Sequence, residues 1–177
     1  MSVSQISYIP YLGVYMTQIA IVPATTLVAG TTYFALRNNT TGSRLFIKKM
    51  SLTTSFTGTA AASLSRFDVS RFSAATPTGG AGTIIKCANS FPTSNAISAQ
   101  TLATGLTTTG VTFESPYHGV AQVSQLGAGV VSNMMLIEPS EWDDIIIGLG
   151  EGICIRAGTA LVAGVAIHGY IQWAERL

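Results

Sequence analysis

The stretch IGLGEGICIRAG, residues 147–158, sets three glycines within five positions, Gly148, Gly150 and Gly152, immediately ahead of an apolar run. A glycine-rich turn of this kind either cradles a phosphate or bends the chain into a strand. A dinucleotide fingerprint needs G-x-G-x-x-G leading into a helix, whose first amides meet the pyrophosphate. Here the spacing is G-x-G-x-G, and no Gly-Lys-Ser/Thr follows as a P-loop would require. Beyond the glycines the residues alternate, Ile153 and Ile155 to one side, Cys154 and Arg156 to the other. The segment therefore reads as a turn into a β-strand, and the chain as a β-protein.

The same period of two continues on both sides. Downstream, Leu161, Ala163, Val165, Ile167, Ile171 and Trp173 form one face of the longest alternation in the chain. Val162, Gly164, Ala166, His168, Tyr170 and Gln172 form the other. The first face is core. The second is small and semi-polar, suited to cover by a loop or another subunit. Upstream, TTYFALRNN alternates, and NNTTGS after Leu36-Arg37 is turn chemistry. SRLFIKKMSLTTSF begins with Leu45 and Ile47 on one face and then puts Met50, Leu52 and Phe56 on the other parity. That switch at Lys48-Lys49 predicts a β-bulge. SLSRFDVSRF points Phe67 and Val69 inward.

Residues 73–110 are rich in Thr, Ser, Ala and Gly and predict long loops with one or two short strands, plus a helical turn in NAISAQTLA. SPYHG, which holds His118, reads as a turn. EPSEWDD, with Ser140 three residues before Asp143, predicts a single capped helical turn. About eight strands and no long helix indicate an antiparallel β-sandwich or barrel.

Composition bounds the function. The 177 residues suit one domain, residues 23–177, preceded by an arm or strand over residues 1–22. Charged residues make up 10% of the chain, against roughly 25% in a typical soluble domain. A chain so poorly supplied with charge is expected to hide part of its exterior against other chains. A net charge of +1 lacks the basic face that nucleic-acid binding demands. No run reaches the 18 apolar residues that a membrane helix needs, and no basic-then-apolar leader predicts export. The sequons at Asn38 and Asn39 accordingly carry no glycan in this reading. Cys87 and Cys154 are too few for a disulfide scaffold and are expected as free thiols.

The candidates for chemistry are thin. Glu138, Glu141, Asp143 and Asp144 crowd one corner without an EF-hand pattern, so no metal and no cofactor is expected. His118 and His168 lack a nucleophile elbow or a partner constellation, so the chain is not expected to be an enzyme. The contact candidates are tyrosines of the uncharged first 36 residues, Tyr8, Tyr11 and Tyr15, and the semi-polar trio His168, Tyr170 and Gln172.

Two blocks, YFALRNNTTGSRLFIKKMSLTTSFTGTAA and LGEGICIRAGTALVAGVAIHGYIQWAE, resemble the early strand–turn–strand and the closing strand pair of small virion proteins of tailed bacteriophages. They cover about a third of the chain. The resemblance implies a jelly-roll-like β-sandwich that assembles as a homotrimer, a cement or decoration protein binding the major capsid protein on the head surface. The runner-up is a trimeric head-fibre or tail-tip domain that binds a host receptor or glycan.

Overall fold

The computed structural model describes residues 11–22, 28–56, 64–100, 105–124, 132–137, 145–160 and 165–177. Eleven strands and no helix occupy them: β1 Tyr11–Ile21, β2 Thr32–Asn38, β3 Arg44–Phe56, β4 Leu64–Ser73, β5 Ile84–Lys86, β6 Ala96–Gln100, β7 Thr112–Ser124, β8 Ser132–Ile137, β9 Ile145–Ile147, β10 Gly152–Ala157 and β11 Val165–Arg176. They form two antiparallel sheets packed face to face. One runs β5-β1-β11-β3-β8, with β9 also on β3; the other runs β6-β2-β10-β4-β7.

The pairings nest. β1 pairs β11, β2 pairs β10, β3 pairs β8 and β9, and β4 pairs β7. This is one long antiparallel ribbon whose successive rungs fall in opposite sheets, the jelly-roll arrangement. β8 lies along Met50–Thr54 of β3 and β9 along Leu45–Ile47, so the two share one rung. β5 and β6 come from the excursion between β4 and β7. They extend the two sheets at the same edge of the sandwich.

The bulge in β3 is where the alternation broke. Gln172 faces Lys49 and Trp173 faces Ile47, so the register with β11 steps over Lys48. Leu45 and Ile47 before it, and Met50 and Leu52 after it, all lie buried in one core. Phe67 and Val69 of β4, Ile153 and Ile155 of β10, and Ile167, Ile171 and Trp173 of β11 meet them there. Tyr15 stacks on Trp173 at 6.0 Å between ring centres.

A carboxylate sits in this apolar interior. Glu175, fully buried, accepts hydrogen bonds from the Ser94 hydroxyl, the Asn95 amide (3.1 and 3.2 Å) and the Trp173 indole Nε1 (3.4 Å). A buried charge needs such donors to offset its lost hydration. The bonds also tie the excursion to the last strand. Tyr15 reinforces the tie by donating its hydroxyl to Pro92 O (3.1 Å).

Of the arm or strand expected over residues 1–22, Tyr11–Ile21 forms an inner strand flanked by β5 and β11, and residues 1–10 lie outside the described ones. Two expectations are corrected. NAISAQTLA contributes β6 and not a helical turn, with Ala96 and Ser98 buried and Ile97 exposed between them. SPYHG lies inside β7. Pro116 is tolerated because β7 is an edge strand, paired to β4 with repeated register shifts. The EPSEWDD corner lies outside the described residues.

The bulge yields a sharp test. Deleting Lys48 slips one half of β3 by a residue and turns either Leu45 and Ile47 or Met50 and Leu52 to the wrong face. At about 1.5–3 kcal/mol per large side chain, the loss rivals a total stability of about 5–15 kcal/mol. Circular-dichroism melting should show an unfolded deletion variant, whereas Lys48→Ser, which keeps the register, melts close to wild type. Glu175→Ala takes the acceptor from the buried Trp173 indole and from the half-buried Ser94 and Asn95 donors, and should cost about 3 kcal/mol in urea titration.

Candidate functional site: the outer face of the six-stranded sheet

The two sheets treat their outer faces differently. Over the five-stranded sheet, Ala35, Phe72, Ala99 and Cys154 make a second apolar cluster with Leu106, and Val111 and Phe113 pack against it. The covering chain is the excursion itself. Thr78 and Thr107 exchange amide–carbonyl hydrogen bonds (3.0 and 2.6 Å), and the Leu106 amide donates to Thr32 O at 2.7 Å. This face is sealed by the protein's own residues.

No described residue seals the six-stranded sheet in the same way. The register sets its side chains in rows, because cross-strand partners share a face. Ile85, Met16, Gln172 and Lys49 form one row; Gln18, Tyr170 and Ser51 the next; Ala20, His168 and Thr53 a third. Gln18 and His168 are exposed, Ile85 is 38% exposed, and Met16, Ala20, Tyr170 and Gln172 are half-buried. A shallow depression of about 440 Å³ opens between Met16, Gln18, Ala20, His168 and Tyr170. Its walls are mainly apolar. Lys49 is the charged residue of these rows; two rows beyond it Arg176 faces Arg44 and stacks over Phe46 at 4.7 Å. The surface is apolar enough to favour burial and polar enough to fix an orientation.

His168, Tyr170 and Gln172 are thus brought onto one accessible face. Tyr15 is not. Its side chain is fully buried, and it belongs to the core because it shares the parity of Thr17, Ile19 and Ile21. Burial first, and the Glu175 carboxylate second, raise its phenol above the ordinary tyrosine value. Tyr11 opens β1 opposite Arg176, and its side chain, like Tyr8, lies outside the described residues. Met16, Gln18 and Ala20 escaped the sequence reading. Their signal was present as the odd–even alternation of YMTQIAI, masked by the apolar character of both parities. Ile85 has no such signal, since a three-residue strand is too short to show a period.

The glycine turn is wholly engaged with the chain. The Gly150 amide donates to Asn38 O (3.0 Å), the Asn38 amide to Glu151 O (3.0 Å), and the Gly148 amide to Glu151 Oε2 (2.9 Å). Gly150 has φ +74, and a Cβ on Gly152 would stand 2.2 Å from the Phe72 ring and 2.6 Å from Leu36 O. These glycines serve a tight turn and a close strand contact, and their amides are not pointed at a ligand. Among the described residues no three His, Cys, Asp or Glu side chains gather as a metal site. The four-acid corner lies outside them, as does the side chain of His118.

No protein-family model matches this sequence, and no characterised protein is detectably similar to it. The fold and the two contrasting faces are the firm ground for a functional reading.

The free thiols also differ. Cys87 is exposed beside Gln172, whereas Cys154 is buried beneath the excursion, where burial pushes its thiol up to about 12, against lowering by the Arg156 charge and by the Ser70 backbone. A thiol reagent should label one cysteine in the native protein and the second only on unfolding, as mass spectrometry would show. Above pH 9.0, the thiol's ordinary value, the unfolded chain loses a proton that folded Cys154 keeps up to about pH 12. Stability contributed by Cys154 must therefore fall as pH rises through that window. Cys154→Ala should flatten this part of a urea-denaturation pH series.

Proposed function

We propose that this protein is a structural component of a virus particle, a jelly-roll subunit of the bacteriophage cement or decoration type that assembles as a homotrimer and stabilises the capsid. The observation that carries the reading is the contrast between the faces: one sheet is covered by the chain's own excursion, and the other offers Met16, Ile85, Tyr170 and His168 outward. Jelly rolls are recurrent in viral shells and in lectins. A sparsely charged chain with an apolar sheet face left open suits a subunit that functions in contact with others.

The mechanism in this reading is adhesive. Copies of the chain bury the outer face of the six-stranded sheet, and the trimer multiplies weak contacts with the shell by avidity. Interfaces of about 800 Å² per partner are the usual scale for stable association. Tyr170 stands in the middle row and is the anchor, since tyrosine joins a large apolar ring to a hydrogen-bonding tip.

Light scattering should give a trimer for the wild-type protein, and cosedimentation should find it on capsid shells. Tyr170→Lys, which adds a cation to a half-buried position of this face, should weaken association by ~2 kcal/mol or more while melting changes little. A wild-type chain that stays monomeric and does not bind shells would refute the proposal.

A further inference from the structure

At the far side of the five-stranded sheet a second cleft, of about 660 Å³, opens between the loop before β2 and the start of the excursion's return. Val28, Gly30, Thr32, Leu106, Thr108 and Arg156 line it. Two features bear on what it can bind.

The first is Arg156. Its guanidinium lies 3.9 Å over the Phe113 ring, and its Nε and Nη2 both donate to Gly30 O, at 3.2 and 3.1 Å. Ring and carbonyl together hold the group in one orientation. Among the described residues no hydrogen bond reaches Nη1 and no carboxylate pairs with it. Asp68 occupies the opposite register position on β4 and has its interaction elsewhere. A cation held rigid with one edge unused is prepared for an anion.

The second is Thr32. It is 1% exposed, and its Oγ1 makes no hydrogen bond. A buried hydroxyl left unmatched costs about 1–3 kcal/mol. Each such group calls for an explanation, and one on the wall of a cleft beside a fixed cation points to a ligand.

We infer that this cleft binds a sugar acid, a monosaccharide unit carrying one carboxylate. Arg156 Nη1 meets the carboxylate. The Thr108 hydroxyl meets the sugar hydroxyls, joined by that of Thr32 as the cleft floor opens around the ligand, and Val28 and Leu106 accept its apolar face. One cation among the described lining residues matches a single negative charge. A phosphate would want a second. The volume exceeds what an inorganic ion needs and lies within the range of small-ligand sites, about 300–1,000 Å³. The inference is independent of how the protein assembles, because the cleft lies on the sheet opposite the proposed contact face.

The test is a titration of the ¹⁵N-labelled full-length protein with sodium glucuronate and with N-acetylneuraminate, followed by amide and arginine Nε resonances. Saturable shifts are expected at Gly30, Thr32, Thr108 and Arg156 Nε, at a Kd on the order of millimolar. Acetate, which has the carboxylate alone, and glucose, which has the hydroxyls alone, should bind about tenfold more weakly or worse. Arg156→Gln should weaken the sugar acid at least about tenfold. Thr32→Val, which keeps shape and therefore fold, should weaken it about threefold or more. The inference is overturned if neither sugar acid gives saturable shifts, or if acetate or inorganic phosphate matches them, which would mean an adventitious ion only. Undiminished affinity in a folded Thr32→Val or Arg156→Gln variant would overturn it as well. Failure of these shifts in a protein that still forms trimers rejects the cleft and not the assembly.

Discussion

Strand β3 serves the core along its whole length only because Lys48 is left out of register with β11. A strand with strict alternation would commit both halves to one parity. The apolar residues of this strand sit on opposite parities before and after the double lysine. One extra residue in the register reconciles them. It lets β3 hold β11 on one side and both β8 and β9 on the other, so the ribbon closes around a continuous interior. The same bulge presents Lys49 in the row of Met16 and Gln172, which gives the outer face one of its few charges. Core phase and surface chemistry are set by one insertion.

The scarcity of charge has a structural side. Several charged groups brace the interior and its loops. Glu175 gathers donors under the excursion. Arg37 donates to Gly150 O, Ala74 O and the Thr76 hydroxyl, joining the glycine turn to the loop after β4. Arg156 clasps Gly30 O. A long cation or a carboxylate can satisfy two or three backbone groups in loops that have no ladder of their own. This leaves fewer ions for the exterior, and the six-stranded sheet carries the consequence on its outer face.

Much of this was legible in the sequence, and the misses have physical causes. The bulge, the core parities of β4, β10 and β11, and the role of the three glycines all follow from local period and turn chemistry. The excursion's β6 was misjudged because Ala, Gln and Leu favour helices while pairing to β2 decides the outcome. His118 was assigned to a turn on the strength of its neighbouring Pro116, a signal that an edge strand overrides. Trp173-x-Glu175 was visible only as a motif. Its meaning depends on Ser94 and Asn95, some 80 residues away in sequence, and no local pattern carries a contact of that range. For the same reason Tyr15 looked like a surface aromatic until Trp173 and Pro92 were seen on either side of it.

The excursion between β4 and β7 also has a bearing on how copies can meet. Its two short strands finish both sheets at one edge, and the outer edge of β6 is already occupied: the Gly82 amide takes Ser98 O, and the Ser94 hydroxyl takes the Ala96 amide. β5 offers three residues. An incoming chain finds there no long row of vacant backbone groups to copy, so end-on strand templating, the route to open-ended fibrils, is obstructed on that flank. On that flank the molecule offers company side chains in place of a strand edge, a geometry that favours finite contacts over runaway growth there.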